Sequence, residues 1–94
     1  MFENNSPRPV AVRKVAVRFI VAGRSRTYVL LASGTCDGIC TALDLLEADL
    51  PAMSDNAGLA VIAKTYPEGA DLALEGDGPI IDLTRQPVRE LEAA

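Results

Sequence analysis

The stretch LLASGTCDGICTALDLLEADLP, Leu30 to Pro51, decides how the rest of this sequence is read, because its apolar residues recur with the period of a helix. Counting from Ile39, the residues Leu43, Leu46 and Leu50 follow at +4, +7 and +11, with Cys36 at −3 and Ala42 at +3. Such a stripe is expected to be buried against another element. The opposite face carries Asp37, Thr41, Asp44 and Ala48, flanked by Glu47 and Asp49, and no basic residue. The spacing predicts a helix over Thr35 to Leu50. Ser33 and Thr35 have hydroxyls suited to capping its first N–H groups, Asp37 suits the positive end of its dipole, and Pro51 ends it near Asp49 or Leu50.

Before the helix lie two β-rich runs. In the first, Val15, Val17, Phe19 and Val21 alternate with Lys14, Ala16, Arg18 and Ile20, giving one strongly apolar face and one mixed, partly basic face. Gly23-Arg24-Ser25-Arg26 reads as the turn, and Thr27 to Ser33 as a second strand, apolar on both sides and therefore interior to its sheet. After Pro51, AMSDNAG reads as a loop, and Leu59 to Tyr66 as a third strand ended by Pro67-Glu68-Gly69. Asp71 to Glu75 and Pro79 to Leu83 are candidates for a fourth and a fifth strand around the turn Glu75-Gly76-Asp77-Gly78-Pro79.

The expected architecture is therefore α+β: a small, open, mainly antiparallel sheet with a strand–strand–helix–strand core, three to five strands in all, and one amphipathic helix packed on one face. Ninety-four residues make one domain. It is placed at residues 10–83, after a disordered lead-in at 1–9 rich in Asn and Pro. Residues 84–94 form a tail or a short helix, with Pro87 in its first turn and Val88 and Leu91 at i and i+3.

Composition restricts the chemistry. No histidine is present, which removes the commonest general base and metal ligand and with them any Ser–His or Cys–His arrangement within one chain. Cys36 and Cys40 remain as thiol nucleophiles, Cys36 in the first helical turn where free N–H groups favour a thiolate. The competing reading buries Cys36 on the apolar stripe as a small hydrophobe. The two cysteines stand at i and i+4, poorly placed to bridge each other. Two thiols do not complete a tetrahedral zinc site, and Asp71, Glu75, Asp77 and Asp82 lack the spacing of a calcium loop. No cofactor, no metal and no enzymatic activity are expected.

Charge is unevenly placed. Residues 1–35 hold six basic residues against one acid, a local charge of +5, and residues 36–83 hold ten acids against Lys64, a local charge of −9. Pairing of the two halves on the surface is one consequence. A second is a partner surface. The acidic helix face, Asp37, Asp44, Glu47 and Asp49, suits a protein with a basic surface. The alternative is a nucleic-acid contact through a ribbon of Arg13, Lys14, Arg18, Arg24 and Arg26. Two Phe, two Tyr and no Trp leave no platform for stacking bases. An open sheet also has edges that a second copy of the chain could cover. The residues FENNSPRP lack the apolar run of a secretory leader, no segment has the length to span a membrane, and a cytoplasmic location is expected.

The run Tyr28 to Leu46, with Ser33, Asp37, Ile39, Ala42, Leu43 and Asp44, resembles a pattern of small uncharacterised accessory proteins of bacterial plasmids, integrative elements and phages: a β-hairpin, a Ser-containing junction, then a helix with Asp-x-Ile and Ala-Leu-Asp. Gly38 departs from it, since such a helix favours Ala there. The resemblance implies an accessory protein of a mobile element that binds and blocks a host nucleic-acid-handling machine.

Overall fold

The computed structural model describes residues 11–74 and 78–84. The chain runs β1 (Arg13–Val21), β2 (Arg24–Ala32), α1 (Thr35–Asp49), α2 (Pro51–Ser54), β3 (Ala60–Thr65), α3 (Gly69–Leu74) and β4 (Ile80–Asp82). The four strands form one open sheet in the order β3-β1-β2-β4, in which β1 is antiparallel to β2 and β3, and β4 is parallel to β2. The fold is α+β, a mixed and mostly antiparallel sheet with one main helix against it, and β2 is interior as its two apolar faces require. The expected lead-in at 1–9 and the tail or helix beyond Thr84 lie outside the described residues, as do Glu75 and Asp77.

Register assigns every strand residue to a face, because opposed residues of an antiparallel pair share one. Val15, Val17 and Phe19 of β1 lie beside Leu30, Tyr28 and Arg26 of β2, and α1 covers this side. Val15, Val17, Phe19, Tyr28, Leu30, Ala42 and Leu46 form the main core, with the rings of Phe19 and Tyr28 edge to face at 6.2 Å. The other side is covered in part by α3, whose Leu72 packs with Ala16, Val29 and Tyr66. On that same side Leu31, Ile62 and Ile80 stay exposed.

The structure corrects four local expectations. The β1–β2 turn is the two-residue Ala22-Gly23, and Arg24, Ser25 and Arg26 are already paired in β2. Both turn residues have positive φ, 51° and 79°, the backbone that matches the right-handed twist of a hairpin. Ala22 holds a left-handed conformation at a cost of about 1 kcal/mol, and the paired strands offset it. The segment around Asp71 is the helix α3: a five-residue alternation fits either period, and burial of Leu72 against Ala16 and Val29 selects the helix. The chain after Pro51 begins with the helical turn α2, which Pro51 opens from its first position. Finally, α1 has no side-chain cap at its N-cap residue Gly34. Asp37 instead reaches back and accepts hydrogen bonds from the Ser33 N–H at 3.0 Å and the Ser33 hydroxyl at 3.1 Å.

The seat of α1 also differs from the apolar stripe. Its buried residues are Gly38, Ala42 and Leu46, while Ile39, Leu43, Leu45 and Leu50 flank them half-buried and Cys36 is exposed. The helix is turned by roughly 80° about its axis, at 100° per residue, from the seat that Ile39, Leu43 and Leu50 suggest. Close approach explains the turn. A Cβ on Gly38 would stand 2.9 Å from Val15 Cγ1 and 3.6 Å from Val17 Cγ2, so the bare backbone of Gly38 rests on the two buried valines.

Candidate functional site

Along the outer side of α1, away from the sheet, run Cys36, Asp37, Cys40, Thr41, Asp44, Glu47 and Ala48, all exposed. The four acids proposed as a partner surface stand on this helix but are not equivalent. Asp37 is engaged by Ser33. Asp49, in the last turn, accepts a hydrogen bond of 2.7 Å from the hydroxyl of Tyr28 and an ion pair of 3.4 Å from Arg26. A carboxylate at a helix C-terminus opposes the dipole, and these two donors answer it. Asp44 and Glu47 have no hydrogen bond or ion pair among the described residues, and no basic side chain stands in the last turn of α1.

Tyr28 is the residue that sequence reasoning missed. It is 1% exposed, its ring lies in the core, and its hydroxyl donates to Asp49 while accepting 2.9 Å from Arg26 Nε. The one available signal was a tyrosine amid aliphatic residues, whose buried hydroxyl needs a partner. The Arg26 guanidinium also lies 5.6 Å from the ring centroid. Burial, and next the Asp49 carboxylate, hold the Tyr28 phenol above its ordinary value near 10, against the opposing pull of Arg26. Tyr66 is raised as well, by burial and by Asp82. Because both folded values exceed the unfolded ones, the stability they contribute is whole below about pH 10 and is lost as pH rises through the raised values. Urea titrations at increasing pH should therefore show a falling midpoint above pH 10. Tyr28→Phe should lower stability at neutral pH by about 1–2 kcal/mol and flatten part of this alkaline limb; an unchanged limb would contradict the assignment.

The five cations of the alternative surface are divided between the two sides of the sheet. Lys14 and Arg18 point to the α3 side, where the Lys14 ammonium lies 4.5 Å from the Tyr66 ring centroid. Arg18 donates from Nε to Thr27 Oγ1 at 3.2 Å and from Nη2 to the Leu72 carbonyl. Arg13, Arg24 and Arg26 belong to the α1 side. There Arg26 is spent on Tyr28 and Asp49, and Arg13 and Arg24 stand at opposite ends of the hairpin, about 26 Å apart at 3.3 Å per residue. These five do not form one ribbon.

Two shallow grooves adjoin at the hairpin end and share Arg24, Leu50 and Met53, with volumes near 250 and 390 Å³. Among the described residues they bring together no acid–base pair and no nucleophile beside a base. Cys36 and Cys40 are free thiols at the surface, so the expectation that Cys36 is buried on the stripe is overturned by the turned seat of α1. No group of three or more Cys, Asp or Glu among the described residues is arranged to hold a metal ion, and no described helix is long and apolar enough to cross a membrane.

No protein-family model matches this chain, and no curated protein or solved structure is similar enough to lend it a relative.

Proposed function

We propose that this protein is a non-enzymatic interaction module that docks the outer face of α1 onto a basic protein surface. The observation that carries this reading is the pair Asp44 and Glu47: exposed, one turn apart, and unpaired among the described residues on the longest helix. Asp37 adds field at the N-terminal end of that face, and Asp49, turned toward Tyr28 and Arg26, ties the other end of the helix to the sheet. The concrete form is an inhibitor encoded by a mobile element that occupies the positively charged surface of a host nucleic-acid-handling complex. The resemblance of Tyr28 to Leu46 supports the mobile-element context, and acids presented along a helix support mimicry of a phosphate row.

The test compares affinity capture from host lysate, before and after nuclease treatment, by the native protein and by Asp44→Lys/Glu47→Lys. A second control reverses Asp55 and Glu68, which are exposed elsewhere. The expected result is a nucleic-acid-binding partner retained by the native and control proteins, released by added duplex, and lost with the helix variant. Like charges set against a basic surface cost several kcal/mol, so purified partner should bind the helix variant at least about 100-fold more weakly. Equal binding by a folded Asp44→Lys/Glu47→Lys protein would overturn the reading. Recovery of nucleic acid that falls on neutralising Arg13 and Arg24 would move it to the basic hairpin. A second copy of the chain is the remaining partner, for which the outer strand β3, with Val61 and Ile62 exposed, offers an edge.

A further inference from the structure

We propose that Cys36 and Cys40 form a two-thiolate chelate for a soft monovalent cation, Cu(I). Free cysteine is among the most buried of residue types, yet both cysteines of this chain are exposed, on successive turns of one regular helix. Positions i and i+4 are 40° apart around the axis, with about 5–6 Å between Cβ atoms. Both side chains lean toward the helix N-terminus along nearly parallel directions. That arrangement is poor for an S–S bond, which needs Cβ atoms about 3.8 Å apart and a dihedral near 90°. It is suitable for two sulfurs held on either side of one metal: thiolate–metal bonds of about 2.3 Å place opposed sulfurs roughly 4.6 Å apart, within the span that the two χ1 rotations reach.

The rest of the face selects the ion. With no third Cys, Asp or Glu arranged for a metal among the described residues, a tetrahedral ion lacks ligands, whereas Cu(I) is satisfied by soft thiolates at low coordination number. Asp37 and Asp44 flank the pair at i+1 of Cys36 and i+4 of Cys40, beside the bound ion. Their oxygens are hard donors and take no part in binding it. The step is a ligand exchange without redox change: Cu(I) leaves its donor, two Cys S–H groups release two protons, and two S–Cu bonds form.

The site is independent of the partner surface, since Asp44 and Glu47 are not ligands, and Asp44→Lys/Glu47→Lys should still bind the metal. The experiment titrates the reduced full chain, without oxygen, against Cu(I) held by a chromophoric chelator. It compares the native protein with Cys36→Ser, Cys40→Ser and Cys40→Ser/Thr41→Cys, all at exposed positions and each checked for fold by circular dichroism. Thr41 is exposed but, at i+5 from Cys36, stands 140° around the helix, so the last variant keeps two thiols and separates them. The expected result is one Cu(I) per native chain and a loss of about 10²–10⁴ in affinity, the effective-concentration advantage of a second tethered ligand, in all three variants. Near-native affinity in either serine variant or in the displaced-thiol variant, or one metal per two chains, would overturn the proposal.

Discussion

Gly38→Ala destabilises this protein although alanine is the better helix former, and Gly38→Leu destabilises it by about 3 kcal/mol or more. Propensity alone favours alanine over glycine by about 0.8–1 kcal/mol inside a helix. Against that stands the contact of α1 with β1. The added Cβ would be 2.9 Å from Val15 Cγ1 and 3.4 Å from Val15 Cβ. Val15 is fully buried and β-branched, so it has no flexible end to move aside. Overpacking of this kind costs about 1–3 kcal/mol, which exceeds the propensity gain over most of its range. A domain of this size has about 5–14 kcal/mol in hand, so the leucine variant consumes a large part of it. Urea unfolding measures both. The double variant Gly38→Ala/Val15→Ala should be more stable than the sum of its singles, by about 0.5–3 kcal/mol for residues in contact. A raised urea midpoint for Gly38→Ala would show that α1 does not rest on β1 in this way.

Leu46→Ala should cost about 2–5 kcal/mol, and Cys36→Ala less than about 0.5 kcal/mol. Leu46 is 0% exposed and belongs to the core with Phe19, Tyr28 and Leu30, so its truncation leaves a cavity that a rigid sheet cannot close. Cys36 is an exposed free thiol outside the core, so its truncation leaves no core cavity. The comparison separates the two seats of α1, because a helix seated on the stripe of Ile39, Leu43 and Leu50 would bury Cys36 beside them. Comparable losses at both positions would restore that seat. Leu43→Ala, half-buried, should fall between the two. In a domain of this length each kcal/mol moves the thermal midpoint by about 4–8 °C, so the order is readable from melting curves alone.

Much of the architecture was legible before any coordinates. Alternation in Lys14 to Val21 marked a strand with one apolar face, the double-sided apolar run from Thr27 marked an interior strand, and period 3.6 from Thr35 marked the helix that covers them. These signals are local and repeated several times within each element, so single exceptions do not erase them. The parts misread were short. The turn at Ala22-Gly23 was displaced toward Arg24 to Arg26 because those polar residues resemble a loop, and only pairing with Val21, Ile20 and Phe19 makes them strand. The five residues around Leu72 fit two periods equally, and packing across the sheet chose between them.

The candidate site divides in the same manner. That Asp37, Asp44 and Glu47 lie on the outer side of the helix followed from their spacing, as did the separation of the acidic and basic halves of the chain, whereas Asp49 is turned toward the sheet and meets Tyr28 and Arg26. Which of those acids stands free did not, because Ser33 is four residues from Asp37, Tyr28 is twenty-one from Asp49, and the cations of one hairpin alternate between two faces. Periodicity reports the side of an element on which a residue stands. Tertiary structure alone decided the rotation of α1 onto Gly38 and Ala42, the exposure of Cys36, and the burial of the Tyr28 ring beneath Asp49. The physical reason is common to all three: how closely two elements approach depends on the smallest residues between them, and a hydrophobic pattern gives those residues the least weight.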